Sequence, residues 1–225
     1  MKIILFGATG MVGQGVLREC LRAEDVESVL APVRSPLGAL AGQAGPKLRE
    51  LIHRDMIDIS PIIDQLSGAQ ACFFCLGVSS AGMSEVDYSR LTFDLTLSVA
   101  RELVKVNPAM TFIYVSGQGT DSSEKGRSMW ARVKGRTENA LLQLPFQGVY
   151  MFRPGYIQPL HGIRSKTRLY RALYALLGFA GPLLQRLAPG SVTDTERVGR
   201  AMLNVARRGY DKKILETPDI NRAAA

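Results

Sequence analysis

Short apolar runs alternate with amphipathic stretches along the whole chain. Runs rich in Val, Ile, Leu and Phe at residues 2–6, 27–33, 48–53, 70–76, 111–116 and 147–153, with another near 212–216, predict strands. Between them, apolar residues recur at helical spacing over 11–23, 58–66, 86–106, 127–143, 166–187 and 194–208. Strands that read as continuous apolar runs are buried on both faces, and their alternation with helices is the rhythm of a parallel sheet. The fold class expected is α/β: a doubly wound parallel sheet of the Rossmann type, helices on both faces, and a small C-terminal substrate region. No linker or repeat divides the 225 residues, which read as one domain. Its cofactor core spans about 1–153 and its substrate-side segments about 154–192. Thr193-Asp194-Thr195-Glu196 has the Thr-x-x-Glu form of a capping box and predicts a helix start. The loop 35–47 reads as mobile, and 221–225 as a frayed end.

The first apolar run leads straight into Gly7-Ala8-Thr9-Gly10-Met11-Val12-Gly13. A buried strand, a glycine turn and a helix in this order form a seat for a dinucleotide pyrophosphate. Phosphate oxygens need donors at close range. Glycine lets the backbone approach, and the first helical N–H groups have no partner of their own. Gly7, Thr9, Gly10, Met11, Val12 and Gly13 are the residues expected to line this seat.

The end of the second strand bears on which dinucleotide. An NAD site places a carboxylate there for the ribose 2′-hydroxyl. This chain has Ala31-Pro32-Val33-Arg34-Ser35, with a guanidinium suited to bidentate contact with a 2′-phosphate. NADP(H) is therefore the cofactor expected, in preference to NAD(H). Asp55, after the third strand, either accepts from an adenine amino group or caps its own turn.

The composition, 46% hydrophobic and 21% charged, is that of a globular protein. A net charge of +8 reads first as an ordinary solvated surface, with a phosphorylated cofactor, an acidic substrate, an anionic membrane surface or nucleic acid as the alternatives. No nucleic-acid-binding motif accompanies it, so no specific nucleic-acid partner is expected. No stretch is long and apolar enough to cross a bilayer. Peripheral membrane contact, a protein partner and a homodimer stay open. Residues 169–187, apolar with basic flanks and broken by Gly178, Gly181 and Pro182, read as a surface helix pair on a membrane or as a bent hairpin over the substrate cleft, the second being favoured. Cys72 and Cys75 sit three apart on one strand and so face opposite sides, which argues against a redox pair or zinc knuckle. With the first strand at the N-terminus and no disulfide framework, a cytoplasmic location is expected. His53 and His161 lack neighbours at ligand spacing, and no metal is expected. Val115-Ser116-Gly117-Gln118-Gly119 lacks the first glycine of a hydrolase nucleophile elbow.

The glycine turn, Arg34, Asp55, Cys75-Leu76-Gly77, Val115-Ser116-Gly117, Val133-Lys134-Gly135 and Arg153-Pro154-Gly155 occur in the order found in a known family and cover nearly the whole chain. In this the chain resembles the atypical short-chain dehydrogenases/reductases, close to the Tat-interacting-protein-like oxidoreductases and epimerase-like NAD(P)-binding proteins. The resemblance implies that Ser116 holds the substrate oxygen and that Lys134 grips the nicotinamide ribose. It adds Met56, Leu76, Gly77 and Pro154 to the cofactor contacts. It also implies a proton-donating tyrosine four residues before Lys134, where this chain has Trp130. Indole donates a hydrogen bond but does not ionise near neutral pH. Tyr156 is the leading substitute donor, with Tyr88 behind it, and a water relayed through Ser116 and Lys134 is a second route. The function implied is an NADP(H)-dependent oxidoreductase or epimerase-like enzyme acting on a small carbonyl or hydroxyl compound. The alternative is a non-catalytic NADP(H)-sensing regulator.

Overall fold

The computed structural model describes residues 1–38, 45–163 and 189–225. Strands β1 (Lys2–Phe6), β2 (Ser28–Val33), β3 (Leu48–Ile52), β4 (Ala71–Phe74), β5 (Thr111–Val115) and β6 (Gly148–Arg153) fall where the apolar runs predict them. Two three-residue strands follow, β7 (Tyr156–Gln158) and β8 (Val192–Asp194), and then β9 (Ile214–Glu216). Seven strands form one sheet in the order β3-β2-β1-β4-β5-β6-β9, with every pairing parallel. The helices are α1 (Met11–Arg22), α2 (Glu85–Ser89), α3 (Leu95–Val106), α4 (Met129–Leu142), α5 (Thr195–Arg208) and α6 (Thr217–Ala223). This is the expected doubly wound Rossmann-like α/β fold.

Alternation along the strands divides the interior into two layers. Ile3 and Leu5 join Phe73 and Phe152 under α1 and α5, against Val16, Leu17, Met202 and Val205. Ile4 and Phe6 join Phe74 and Phe112 on the other face, against Ile59, Leu66, Leu97 and Leu103. Cys72 belongs to the second layer while Cys75 packs on the first, so the two thiols do face opposite sides. Helices α1 and α5 cross closely because Gly15 and Gly199 meet there. A Cβ on Gly15 would lie 2.6 Å from the Thr195 Cβ, and one on Gly199 would lie 2.8 Å from the Glu19 Cγ.

Several boundaries differ from the sequence expectation. The helix expected at 58–66 is a 3-10 helix, Ser60–Leu66, with Pro61 in its first turn. The long helix expected at 86–106 is interrupted by one π-helical turn, Arg90–Asp94. Asp194, not Thr193, caps α5: its carboxylate accepts from the Arg197 N–H at 2.7 Å. The end expected to fray is helical. A reciprocal Glu216–Asp219 capping box starts α6, Ile220 is buried, and the Asn204 amide donates to the Ala223 carbonyl at 2.9 Å. Contacts with distant α5 hold this short helix, and seven residues are too few for a periodic signal. The helix expected at 166–187, the 169–187 hairpin and the middle of the 35–47 loop lie outside the described residues. No helix among the described residues is long and apolar enough to cross a membrane.

Candidate functional site

The strand order reverses between β1 and β4, and the crevice beyond their carboxyl ends is where a doubly wound sheet takes a ligand. The glycine turn enters this crevice. Gly7 has φ +83°, a left-handed conformation open to glycine. A Cβ there would lie 2.6 Å from the Cys75 carbonyl carbon, and a Cβ on Gly13 would lie 2.0 Å from the Gly7 oxygen. The two glycines thus bring loop, β4 and α1 together more tightly than any side chain allows. Gly10 is the N-cap of α1 and donates to the Gly7 carbonyl at 2.9 Å. Among the described residues no side chain caps α1, and its first turn holds no acidic residue, so its leading amides are placed to meet an anion. Thr9, Gly10, Met11 and Val12 are half-buried around this turn. The geometry fits a pyrophosphate.

Arg34 is exposed immediately after β2, and among the described residues no carboxylate pairs with it. Its loop is pinned: the His53 N–H donates to the Val33 carbonyl at 2.8 Å, and Glu50 accepts from the Leu37 N–H at 3.0 Å. One oxygen of the Asp55 carboxylate, Oδ1, accepts from the Ile57 N–H at 3.0 Å in its own turn. Met56 is buried in the second core layer. Leu76 packs on that layer and Gly77 is exposed just past β4.

Ser116, Lys134 and Pro154 converge at the ends of β5 and β6. The pairing runs past the strand ends, from the Ser116 N–H to the Phe152 carbonyl and from the Gln118 N–H to the Pro154 carbonyl, each at 2.9 Å. The Lys134 ammonium, on α4, donates to the Ser116 carbonyl at 2.6 Å and lies 5.8 Å from the Tyr114 ring centre. Burial pulls its pKa down to about 8, against the nearby Glu138 charge, which raises it. Gly135 makes this close seating possible, since a Cβ there would lie 1.8 Å from the Asp121 carbonyl oxygen. Trp130 is half-buried one turn earlier, with its ring against Gly119. Tyr156 opens β7, paired with Val192 of β8, and burial pushes its phenol up. Tyr88 is buried on α2.

Sequence reasoning missed a charged network beneath Ser116. The Ser116 hydroxyl donates to the Glu138 carboxylate, with the Phe152 carbonyl as a second acceptor at 3.2 Å. Glu138 is fully buried. The Arg153 Nε donates to both its oxygens, at 3.0 and 3.1 Å, and Arg153 also reaches Ser122 and Glu216. The signal was present: Glu138 stands four residues after Lys134, hence on the same helical face. Removing one partner of a buried pair strands the other charge. Arg153→Met is therefore expected to cost about 3–5 kcal/mol, read as a lower urea midpoint.

No family model matches the chain. It is 26% identical over 213 residues to "Protein fmp52, mitochondrial" of Aspergillus clavatus, covering 93% of this chain and 88% of that one. It is 28% identical over 169 residues to "Protein FMP52, mitochondrial" of Saccharomyces cerevisiae, covering 75% and 69%. Among solved structures, it superposes on vestitone reductase from alfalfa with a TM-score of 0.68 at 16% identity, over 95% of this chain and 75% of that one. It superposes on the ADP-L-glycero-D-manno-heptose-6-epimerase of Helicobacter pylori with a TM-score of 0.69 at 14% identity, over 97% and 79%. The fold is that of the short-chain dehydrogenases/reductases and their epimerase-like relatives. The expected cytoplasmic location is corrected by the fungal relatives, whose names place them in mitochondria.

Proposed function

We propose that this protein is an NADP(H)-dependent reductase of a small carbonyl compound in which Lys134, not a tyrosine, delivers the proton. The observation that carries the reading is the Lys134 ammonium held 2.6 Å from the Ser116 carbonyl, at the crevice end of β5. The glycine turn and open amides of α1 would hold the pyrophosphate, and Arg34 the 2′-phosphate. When bound, a reduced nicotinamide supplies hydride to the substrate's carbonyl carbon. Lys134 gives a proton to the carbonyl oxygen, its neutral amine then being reprotonated from water. A lysine with a pKa near 8 is a competent acid at neutral pH. Tyr156, pushed up by burial, is a weaker acid than an ordinary phenol, which favours Lys134 over it. The names of the fungal relatives support a mitochondrial setting.

A second reading is a cofactor-binding regulator without turnover, favoured by the non-ionising Trp130. Fluorescence titration with NADPH and NADH, followed by NADPH consumption against small aldehydes and ketones, separates the two. Binding with turnover is the expected result. Binding without turnover across the panel would favour the regulator, and no binding of either coenzyme would overturn both readings.

Two outcomes are specific. Arg34→Gln is expected to weaken NADPH binding by about 10–100-fold and leave NADH unchanged, as removal of one charge-assisted phosphate contact. The reduction rate is expected to be flat below pH 8 and to fall above it, because the acid form of Lys134 is lost as pH rises through about 8. A stopped-flow profile that stays level to pH 10 would exclude this lysine as donor.

A further inference from the structure

We infer that Glu138 is the positioning residue of this crevice: it accepts the hydrogen bond of the Ser116 hydroxyl, leaves that serine only lone pairs to offer the crevice, and so leaves proton donation to Lys134. The inference rests on the reductase reading and deepens it.

A serine has one proton to give and two lone pairs to offer. Here both acceptors in reach of that proton, the Glu138 carboxylate and the Phe152 carbonyl, lie on the protein's own side. Ion-paired with Arg153, the carboxylate is itself an acceptor only. The half-buried serine oxygen therefore faces the crevice with lone pairs. It can receive a hydrogen bond from a hydroxyl or an ammonium, but it cannot polarise a ketone oxygen by donation.

The placement of the charge supports a role beyond packing. A buried ion pair is seldom more stabilising than apolar residues of the same volume. This one sits one helical turn from Lys134 and directly against Ser116. Among the described residues, the groups facing Lys134 are the Ser116 carbonyl just past β5, the Tyr114 ring of β5, and Glu138 from its own helix. Of these, Glu138 supplies the negative charge that opposes the loss of the lysine's proton, and Arg153 and Ser116 moderate that charge. Glu138 therefore acts on both residues at once: on the serine by hydrogen bond, on the lysine by field.

The test is the titration of Lys134 in the coenzyme-free protein, followed by NMR of isotope-labelled lysine side chains and assigned with Lys134→Arg. In the native protein Lys134 is expected to titrate well below the other lysines. Glu138→Gln is expected to lower its midpoint by about 1 unit, through loss of the opposing charge. Ser116→Ala is expected to raise it, because the carboxylate loses a donor and presents more charge to the lysine. Shifts of opposite sign are not what a merely structural role would produce. Should Glu138→Gln fail to fold, Ser116→Ala leaves the ion pair in place and carries the test. A native Lys134 that titrates with the surface lysines, or a midpoint unmoved by Ser116→Ala, would overturn the inference. NADPH binding by the native protein is scored separately: its failure overturns the reductase reading, while the lysine shifts still report on Glu138.

Discussion

Gly13→Val is expected to lower NADPH affinity by about 100-fold or more and to reduce the melting temperature by about 10 °C. The position has no room: even the first carbon of a side chain would lie 2.0 Å from the Gly7 oxygen and 3.1 Å from the Ala8 Cα. These are backbone atoms of the turn, so no rotamer change relieves the clash. The helix must lift from β1, or the turn must open. Overpacking of a filled interior costs about 1–3 kcal/mol, and a backbone obstacle puts this substitution at the upper end or beyond. For a domain of this size each kcal/mol moves the midpoint by about 2–4 °C. The affinity loss has a separate cause. Once the α1 amides are displaced, two charge-assisted bonds to phosphate, at about 1.5 kcal/mol each, are lost together. Calorimetry with NADPH and a thermal melt measure the two effects independently. A variant that melts early yet binds NADPH as the native protein does would show that the turn does not hold the pyrophosphate.

Lys134→Met is expected to act in the opposite way, removing turnover while sparing the fold. Loss of a positioned proton donor lowers rate by about 10²–10⁴-fold. Stability is expected to change little, within about 4 °C in melting temperature. The sign follows from the depressed pKa. Folding lowers the lysine's pKa from 10.5 to about 8, so the ammonium is less favourable in the folded chain than in water. That penalty is present in full below pH 8 and fades as pH rises toward 10.5. Methionine removes the penalty and gives up the hydrogen bond to the Ser116 carbonyl, and the two changes oppose each other. Single-turnover reduction of a panel carbonyl, with a melt at pH 7, checks both halves. Retention of the native rate would transfer the donor role to another group, with Tyr156 the first to substitute.

Much of the fold was legible because its cause is periodic. Ile3 and Leu5 against Ile4 and Phe6 announce a strand buried on both faces, and all seven strands of the large sheet coincide with runs in the sequence. The glycine turn was legible for a related reason, since its chemistry lies in seven consecutive residues. What escaped was short or distant. Strands β7 and β8 have three residues each and lie more than thirty positions apart in the chain, so no local pattern marks them. Helix α6 is held by α5, by a cap and by Ile220 in the core, and seven residues are too short for these contacts to show as a period in the sequence. Asp55 left two readings open in the sequence, and the structure shows one oxygen of its carboxylate accepting from its own turn.

The amino-acid sequence by itself determined the strand and helix alternation and the glycine turn after β1, because each depends on neighbours a few positions away. The tertiary structure alone decided which charges meet under the crevice. Ser116, Glu138 and Arg153 come from a strand end, a helix and the next strand, and only the packing of α4 across β5 and β6 makes them one network. A buried carboxylate between a serine and a guanidinium is a property of that packing. Hydrogen bonds and low local dielectric act through space, and sequence order does not record the distances they act over.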